Sequence, residues 1–128
     1  MGEIQEEKVM TVEEFYNLTG GDYKEIMGRL KTETRIVKFA GMFLRDGSYD
    51  MLAKCLEDGN ADEGFRAAHT MKGMCQNMAF TRLYTSVHEV TETLRTKDLD
   101  KAKEIFVRLT EDYNAVIDGI NKLLAEQP

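Results

Sequence analysis

The chain has 128 residues, with 17 basic against 23 acidic side chains, a net charge of −6, two cysteines and a single proline. That length supports one domain with a real core, and the acidic balance argues against nucleic acid and anionic membrane as partners. No apolar run approaches the roughly 18 residues of a membrane-spanning helix. The N-terminus has no apolar signal region, and Cys55 and Cys75 stand in no metal-ligand spacing, so reduced thiols in a cytoplasmic protein are expected.

The only proline is Pro128, the last residue, so nothing inside the chain forbids helix. Residues 1–10 are polar and of mixed charge and are expected to form a flexible tail, with a helical domain over 11–128. Thr11-Val12-Glu13-Glu14 fits a capping box that opens a short helix through about Leu18. Gly20-Gly21 ends it, and Asp22 starts a second helix running to about Lys31. A third helix is predicted over about 33–46, with Ile36, Phe39, Ala40 and Phe43 on its buried face. After Asp46-Gly47-Ser48, a helix over 49–57 carries Met51, Leu52, Cys55 and Leu56, and Asp58-Gly59 closes it. Asn60 caps the next helix, with Glu63 completing the box, and that helix runs to about Asn77.

The following helix, about 81–96, has Leu83, Val87, Val90 and Leu94 as its core stripe. In the last one, Leu99, Ala102, Phe106, Leu109, Tyr113, Val116, Ile120 and Leu123 recur at steps of three and four, a seam about seven turns long. Such a seam serves either a dimer or the chain's own bundle. The short links to amphipathic neighbours favour the bundle, and a monomer is expected. The predicted architecture is all-α: an antiparallel up-down four-helix bundle with extra short N-terminal helices.

The chemistry concentrates on Ala68-His69-Thr70-Met71-Lys72-Gly73. At about 100° per residue, Ala67, Met71, Met74 and Met78 fall opposite His69 and make the core stripe. Lys72, Gly73 and Gln76 lie on the side of His69, together with Asp62 and Phe65. A neutral imidazole is a competent nucleophile near pH 7. A phosphoryl group on it would bring nearly two negative charges, which Lys72 is placed to offset. Gly73 costs its helix about 1 kcal/mol relative to alanine, and a missing side chain beside His69 leaves room for a partner to close over the ring. On the antiparallel neighbour, residues 88–92 come level with His69, and His88, Thr91 and Arg95 form one stripe. Thr91 is the first candidate to hydrogen-bond the second ring nitrogen of His69, and Arg95 a candidate for phosphoryl oxygens. Each of these residues also has an ordinary reading as solvated or packed helix surface.

The run AHTMKGMCQNMAFTRL, residues 68–83, resembles the histidine-containing phosphotransfer (HPt) domains of bacterial multistep phosphorelays. Their pattern is roughly Ala-His-(Thr/Ser)-(Leu/Met)-Lys-Gly, a few small residues, Asn-Leu-Gly and a later Leu. Here Asn77-Met78-Ala79 stands for Asn-Leu-Gly, Leu83 for the later Leu, and Met74-Cys75-Gln76 for the small residues. The resemblance covers about 11–125 and implies a phosphocarrier. His69 would accept a phosphoryl group from a receiver-domain phosphoaspartate and pass it to another receiver, with response regulators or a hybrid histidine kinase as partners. It further implies that Mg²⁺ belongs to the partner receiver and that this chain has no cofactor of its own. Phe65, and with it Phe80, would belong to a docking patch around the histidine; the alternative for Phe65 is packing against a short N-terminal helix.

No Gly-rich nucleotide loop or carboxylate cluster for Mg²⁺ is visible, so a kinase is not expected. Three other readings compete. One is a non-catalytic helical adaptor or docking module for receivers or kinases, in which His69 is incidental. Another is a metal site from His69, His88 and Cys75, and the third a redox sensor at Cys55 or Cys75.

Overall fold

Seven α-helices follow one another in the computed structural model, which describes residues 10–126: α1 (Val12–Thr19), α2 (Tyr23–Leu30), α3 (Glu33–Leu44), α4 (Ser48–Asp58), α5 (Ala61–Asn77), α6 (Thr81–Arg95) and α7 (Leu99–Ala125). The tail expected over residues 1–10 lies, except for Met10, outside the described residues. Side-chain caps fix most of the starts. Thr11 accepts from the Glu14 amide while the Glu14 carboxylate reaches back to the Thr11 amide, and Asp22, Thr32, Asn60 and Asp98 each accept from the amide three residues on. Each such cap satisfies an otherwise orphaned donor and contributes about 1 kcal/mol. At Asn60 the box is only half formed, because the Glu63 carboxylate pairs with Arg66 at 2.7 Å.

Helices α4 to α7 form an antiparallel bundle joined by short links, with α5 between α4 and α6. Gly64 lets three helices converge: a side chain there would come within 3.3 Å of Cys55 and 3.4 Å of Leu94. The seam of α7 is buried inside its own chain. Ala102, Leu109, Val116, Ile120 and Leu123 are in the core, with Leu99, Phe106 and Tyr113 half-buried at its margin. The C-terminal half of α7 is covered by α1 and α3: Phe15 lies so close over Gly119 that an added methyl would stand 2.5 Å from its ring, and Phe43 meets Tyr113 at 6.2 Å.

One residue expected on a buried face is at the surface: Phe39 is 39% exposed, and Met51 of α4 is 53% exposed. Gly41 of α3 faces Leu124 of α7, which turns the buried arc of α3 towards Ala40 and Gly41 and leaves Phe39 at its edge. On α4 the buried stripe is the narrow one of Leu52, Cys55 and Leu56.

The end of the bundle below His69 is plugged by an aromatic cluster. Phe80, 1% exposed, meets Phe15, Tyr16 and Phe43 at ring separations of 5.9, 5.6 and 5.2 Å. Phe80 is therefore a core residue and not part of a docking patch. The link between α1 and α2 is hydrogen-bonded to the link between α5 and α6: the Asp22 amide donates to the Ala79 carbonyl at 2.9 Å and the Arg82 amide to the Gly20 carbonyl at 3.1 Å. A side chain on Gly21 would strike the Tyr16 ring at 2.6 Å, and Gly20 has φ +75°, so the Gly-Gly pair is required by close approach and by conformation.

Lys31, the C-cap of α2, has φ +74° without being glycine and is exposed. The left-handed region costs a side-chain-bearing residue about 1–2 kcal/mol, of which glycine gives back about 0.4–1 kcal/mol through its freer unfolded chain. Lys31→Gly is thus expected to stabilise the fold by about 0.5–1 kcal/mol, read as a higher urea midpoint at unchanged slope.

Candidate functional site

Helix α5 begins at the Asn60 cap with Asp62 and Glu63 in its first turn, where carboxylates complement the helix dipole. Gly64, Ala67, Ala68, Met71 and Cys75 face inward, and the small residues among them let α5 sit close to both neighbours. Cys75 is fully buried and Met74 only half, so the core stripe is rotated slightly from the expected Ala67/Met71/Met74/Met78 arc. Burial also pushes the thiol pKa of Cys75 and of Cys55 upward, which disfavours the thiolate that redox chemistry requires.

The outward face carries the expected residues. His69 and Gln76 are exposed, and Lys72 and Gly73 half-buried. A side chain added at Gly73 would meet nothing within 4 Å. The glycine therefore serves no packing purpose among the described residues and leaves open space beside the imidazole. The Phe65 ring is stacked on His69, centroids 5.9 Å apart and planes 16° from parallel. Phe65 is half-buried, and the Arg95 guanidinium of α6 lies 4.8 Å from its ring centre, so its ring contacts are on the His69 face.

The residues expected from α6 divide. Thr91 is buried, and its hydroxyl donates to the Val87 carbonyl of its own helix at 2.7 Å. It is therefore not the hydrogen-bond partner of His69. Its place beside Val87, Val90 and Leu94 puts it within the face α6 buries, which is wider than the four-residue stripe predicted. His88 is half-buried, stacks on Tyr84 at 5.9 Å, and has a buried Nδ1 with no hydrogen-bond partner among the described residues. Arg95 is exposed and held by Glu92 at 3.0 Å.

Glu92 is a site residue that the sequence reading missed. Its carboxyl is held below the usual range, first by the hydrogen bond from Arg95, against the opposing effect of burial, and then by the charges of Arg95 and Lys72, and its bond to Arg95 puts it at the edge of the site on α6. The signal was present, since Glu92 stands three residues before Arg95 and four after His88, on their common face. A second missed residue is Arg29 of α2. Its guanidinium donates to the carbonyls of Gln76 and Asn77 at 2.9 and 2.6 Å and to Glu25 at 2.6 Å. Together with the Tyr16 hydroxyl, which donates to the Met78 carbonyl at 2.8 Å, it satisfies the C-terminal end of α5, where unpaired carbonyls collect. These partners are distant in sequence, and no local pattern announces them.

Among the described residues, no group of three or more His, Cys, Asp or Glu is arranged to hold a metal ion, and no helix is long and apolar enough to cross a membrane. The site is thus an exposed imidazole on a well-anchored helix, with an open notch at Gly73 and a lysine at its flank. The sequence model of the family described as Hpt domain matches residues 40–119, well over half of the chain. That span holds α4, α5, α6 and most of α7, and leaves out α1 and α2. No curated protein and no solved structure matches the chain.

Proposed function

The chain belongs to the Hpt domain family, the histidine phosphotransfer modules of phosphorelays, and on that premise we propose that His69 is its phosphoacceptor. The imidazole Nε2 would attack the phosphorus of a receiver's phosphoaspartate. Its lone pair forms the N–P bond while the acyl P–O bond breaks and its electrons leave on the aspartate carboxylate. A second receiver would take the group by the reverse step. The partner supplies Mg²⁺ and the acidic pocket; this chain supplies a positioned nucleophile. Lys72 offsets the charge of the phosphoryl group, Gly73 gives steric access, and Gln76, further along the exposed face, lies within the area a receiver would cover. The observation that carries this reading is the exposed ring of His69 beside a glycine whose missing side chain faces open space.

The reading is tested by incubating the protein at neutral pH with Mg²⁺ and a panel of radiolabelled phospho-receivers. Label that is lost in acid, kept in base and mapped to His69 by peptide mass spectrometry is the expected result. Absence of label from every receiver of the organism's complement, in folded protein, overturns it in favour of an adaptor.

Gly73 supplies a second, sharper expectation. Gly73→Ala should raise helix stability by about 1 kcal/mol, because its methyl meets nothing among the described residues. Gly73→Leu should slow transfer on the order of a hundredfold, the scale of a small misplacement between reacting groups. A thermal melt and a transfer time course on the same variants read both effects. A glycine kept for packing would show the opposite pattern, lower stability with transfer preserved.

A further inference from the structure

The imidazole of a surface histidine rotates among several rotamers, yet in-line attack needs one nitrogen aimed along one direction. The groups around His69 bear on that requirement. The Phe65 ring lies nearly parallel to the imidazole, 16° between planes at 5.9 Å, within the offset-stacked range of aromatic pairs. The Phe65 ring is in turn covered by the Arg95 guanidinium, 4.8 Å from its centre, a cation–π distance. Arg95 is fixed by Glu92, which receives its Nε–H at 3.0 Å and a second, longer bond at 3.4 Å.

Phe65 and Arg95, with Asp62, Arg66 and Leu94, line an open depression beside the histidine. Two arginines there would suggest an anion pocket, but every charge is already matched: Arg95 by Glu92, Arg66 by Glu63 at 2.7 Å, and Asp62 by Lys97 at 3.6 Å. The depression is electrically balanced, and its continuous feature is the column Glu92–Arg95–Phe65–His69.

We propose that this column is a positioning device: Phe65, held by Arg95 and Glu92, sets the plane of the His69 ring for attack, and Arg95 acts on Phe65 and not on the phosphoryl oxygens. The proposal rests on His69 being the phosphoacceptor and adds positioning residues contributed by α6. Stacking of this kind shifts rotamer populations by about three- to tenfold, which sets the size of the expected effect.

The test uses Phe65→Leu, Phe65→Tyr and Arg95→Gln in the full chain, with two readouts. The first is the ring-proton NMR shift of His69. Stacking under Phe65 displaces it from the free-imidazole position; Phe65→Leu should return it, Arg95→Gln should return it partly, and Phe65→Tyr should keep it. The second is transfer from a phospho-receiver as a function of receiver concentration. Phe65→Leu should lower the maximal rate by about three- to tenfold at unchanged half-saturation, with Phe65→Tyr restoring it. A raised half-saturation at unchanged maximal rate would make Phe65 a docking residue and overturn the proposal. So would an Arg95→Gln defect with Phe65→Leu at the native rate, which would place Arg95 on the phosphoryl group. If Phe65→Leu does not fold, Arg95→Gln decides on the NMR readout: a His69 shift moved towards the free-imidazole position supports the column, and an unchanged shift refutes it. If even the native chain accepts no phosphoryl group, the phosphocarrier reading fails separately, and the NMR arm alone decides the stack: an unchanged His69 shift in Phe65→Leu refutes it.

Discussion

His69→Gln is expected to abolish phosphoryl acceptance from every receiver while leaving the fold in place. Glutamine keeps a polar side chain of similar reach but has no nucleophilic nitrogen, since its amide lone pair is delocalised into the carbonyl. The side chain of His69 is exposed, and no hydrogen bond to its ring occurs among the described residues, so the substitution acts on the fold through the Phe65 stack at 5.9 Å. A surface change of this sort costs about 0.5 kcal/mol, which moves the melting temperature by no more than about 4 °C in a chain of this size. Transfer and melting measured on one preparation therefore separate the chemical effect from the structural one. Residual acid-labile label on the variant, carried by another residue, would move the acceptor away from α5.

Phe80→Ala is expected to have the largest effect on stability, a loss of about 3–5 kcal/mol. Phe80 is 1% exposed and stands among three rings, edge-on to Phe15 and Phe43 at interplanar angles of 84° and 90°. Removing it forfeits the transfer energy of the ring, leaves a cavity that the capped end of α5 has little room to fill, and deletes edge-to-face pairs that contribute about 0.5–1.5 kcal/mol each. Against a total stability of about 5–15 kcal/mol, that is a large share. Urea unfolding should show the midpoint falling sharply at an unchanged slope. A loss below about 1 kcal/mol would mean that Phe80 is accessible after all and would reopen its place in a docking patch.

The contrast between those two residues shows what the sequence discloses. The outward direction of His69, Lys72, Gly73 and Gln76 follows from helical periodicity alone, because α5 is long and its inward face is marked by Gly64, Ala67, Ala68 and Met71. Helix starts were legible wherever a Thr, Asp or Asn cap precedes an apolar period, as at Thr11, Asp22 and Asn60. Phe80 was misread because its burial depends on α1 and α3 folding across the end of the bundle, a long-range event with no local trace. Thr91 was misread for a related reason: periodicity gives its angle, but the depth to which neighbours bury α6 decides which side of the boundary that angle falls on. Glu92 and Arg95 were separable only once the ring of Phe65 was in place to receive the guanidinium.

The bonds that anchor the end of α5 also bear on how the chain is made. Tyr16, Gly20, Asp22 and Arg29 leave the ribosome well before the groups they bind, the carbonyls of residues 76–79 and the amide of Arg82. Phe15 waits longer still, because the surface it covers at Gly119 belongs to α7. Helices α1 and α2, eight residues each, are too short to hold together alone in water. During translation they must trail as unstructured chain until α5, α6 and finally α7 emerge, and α1 and α2 are then fastened last. Ribosome-stalled chains halted before α7 should accordingly be cut by protease first within residues 12–30, while the released protein resists there.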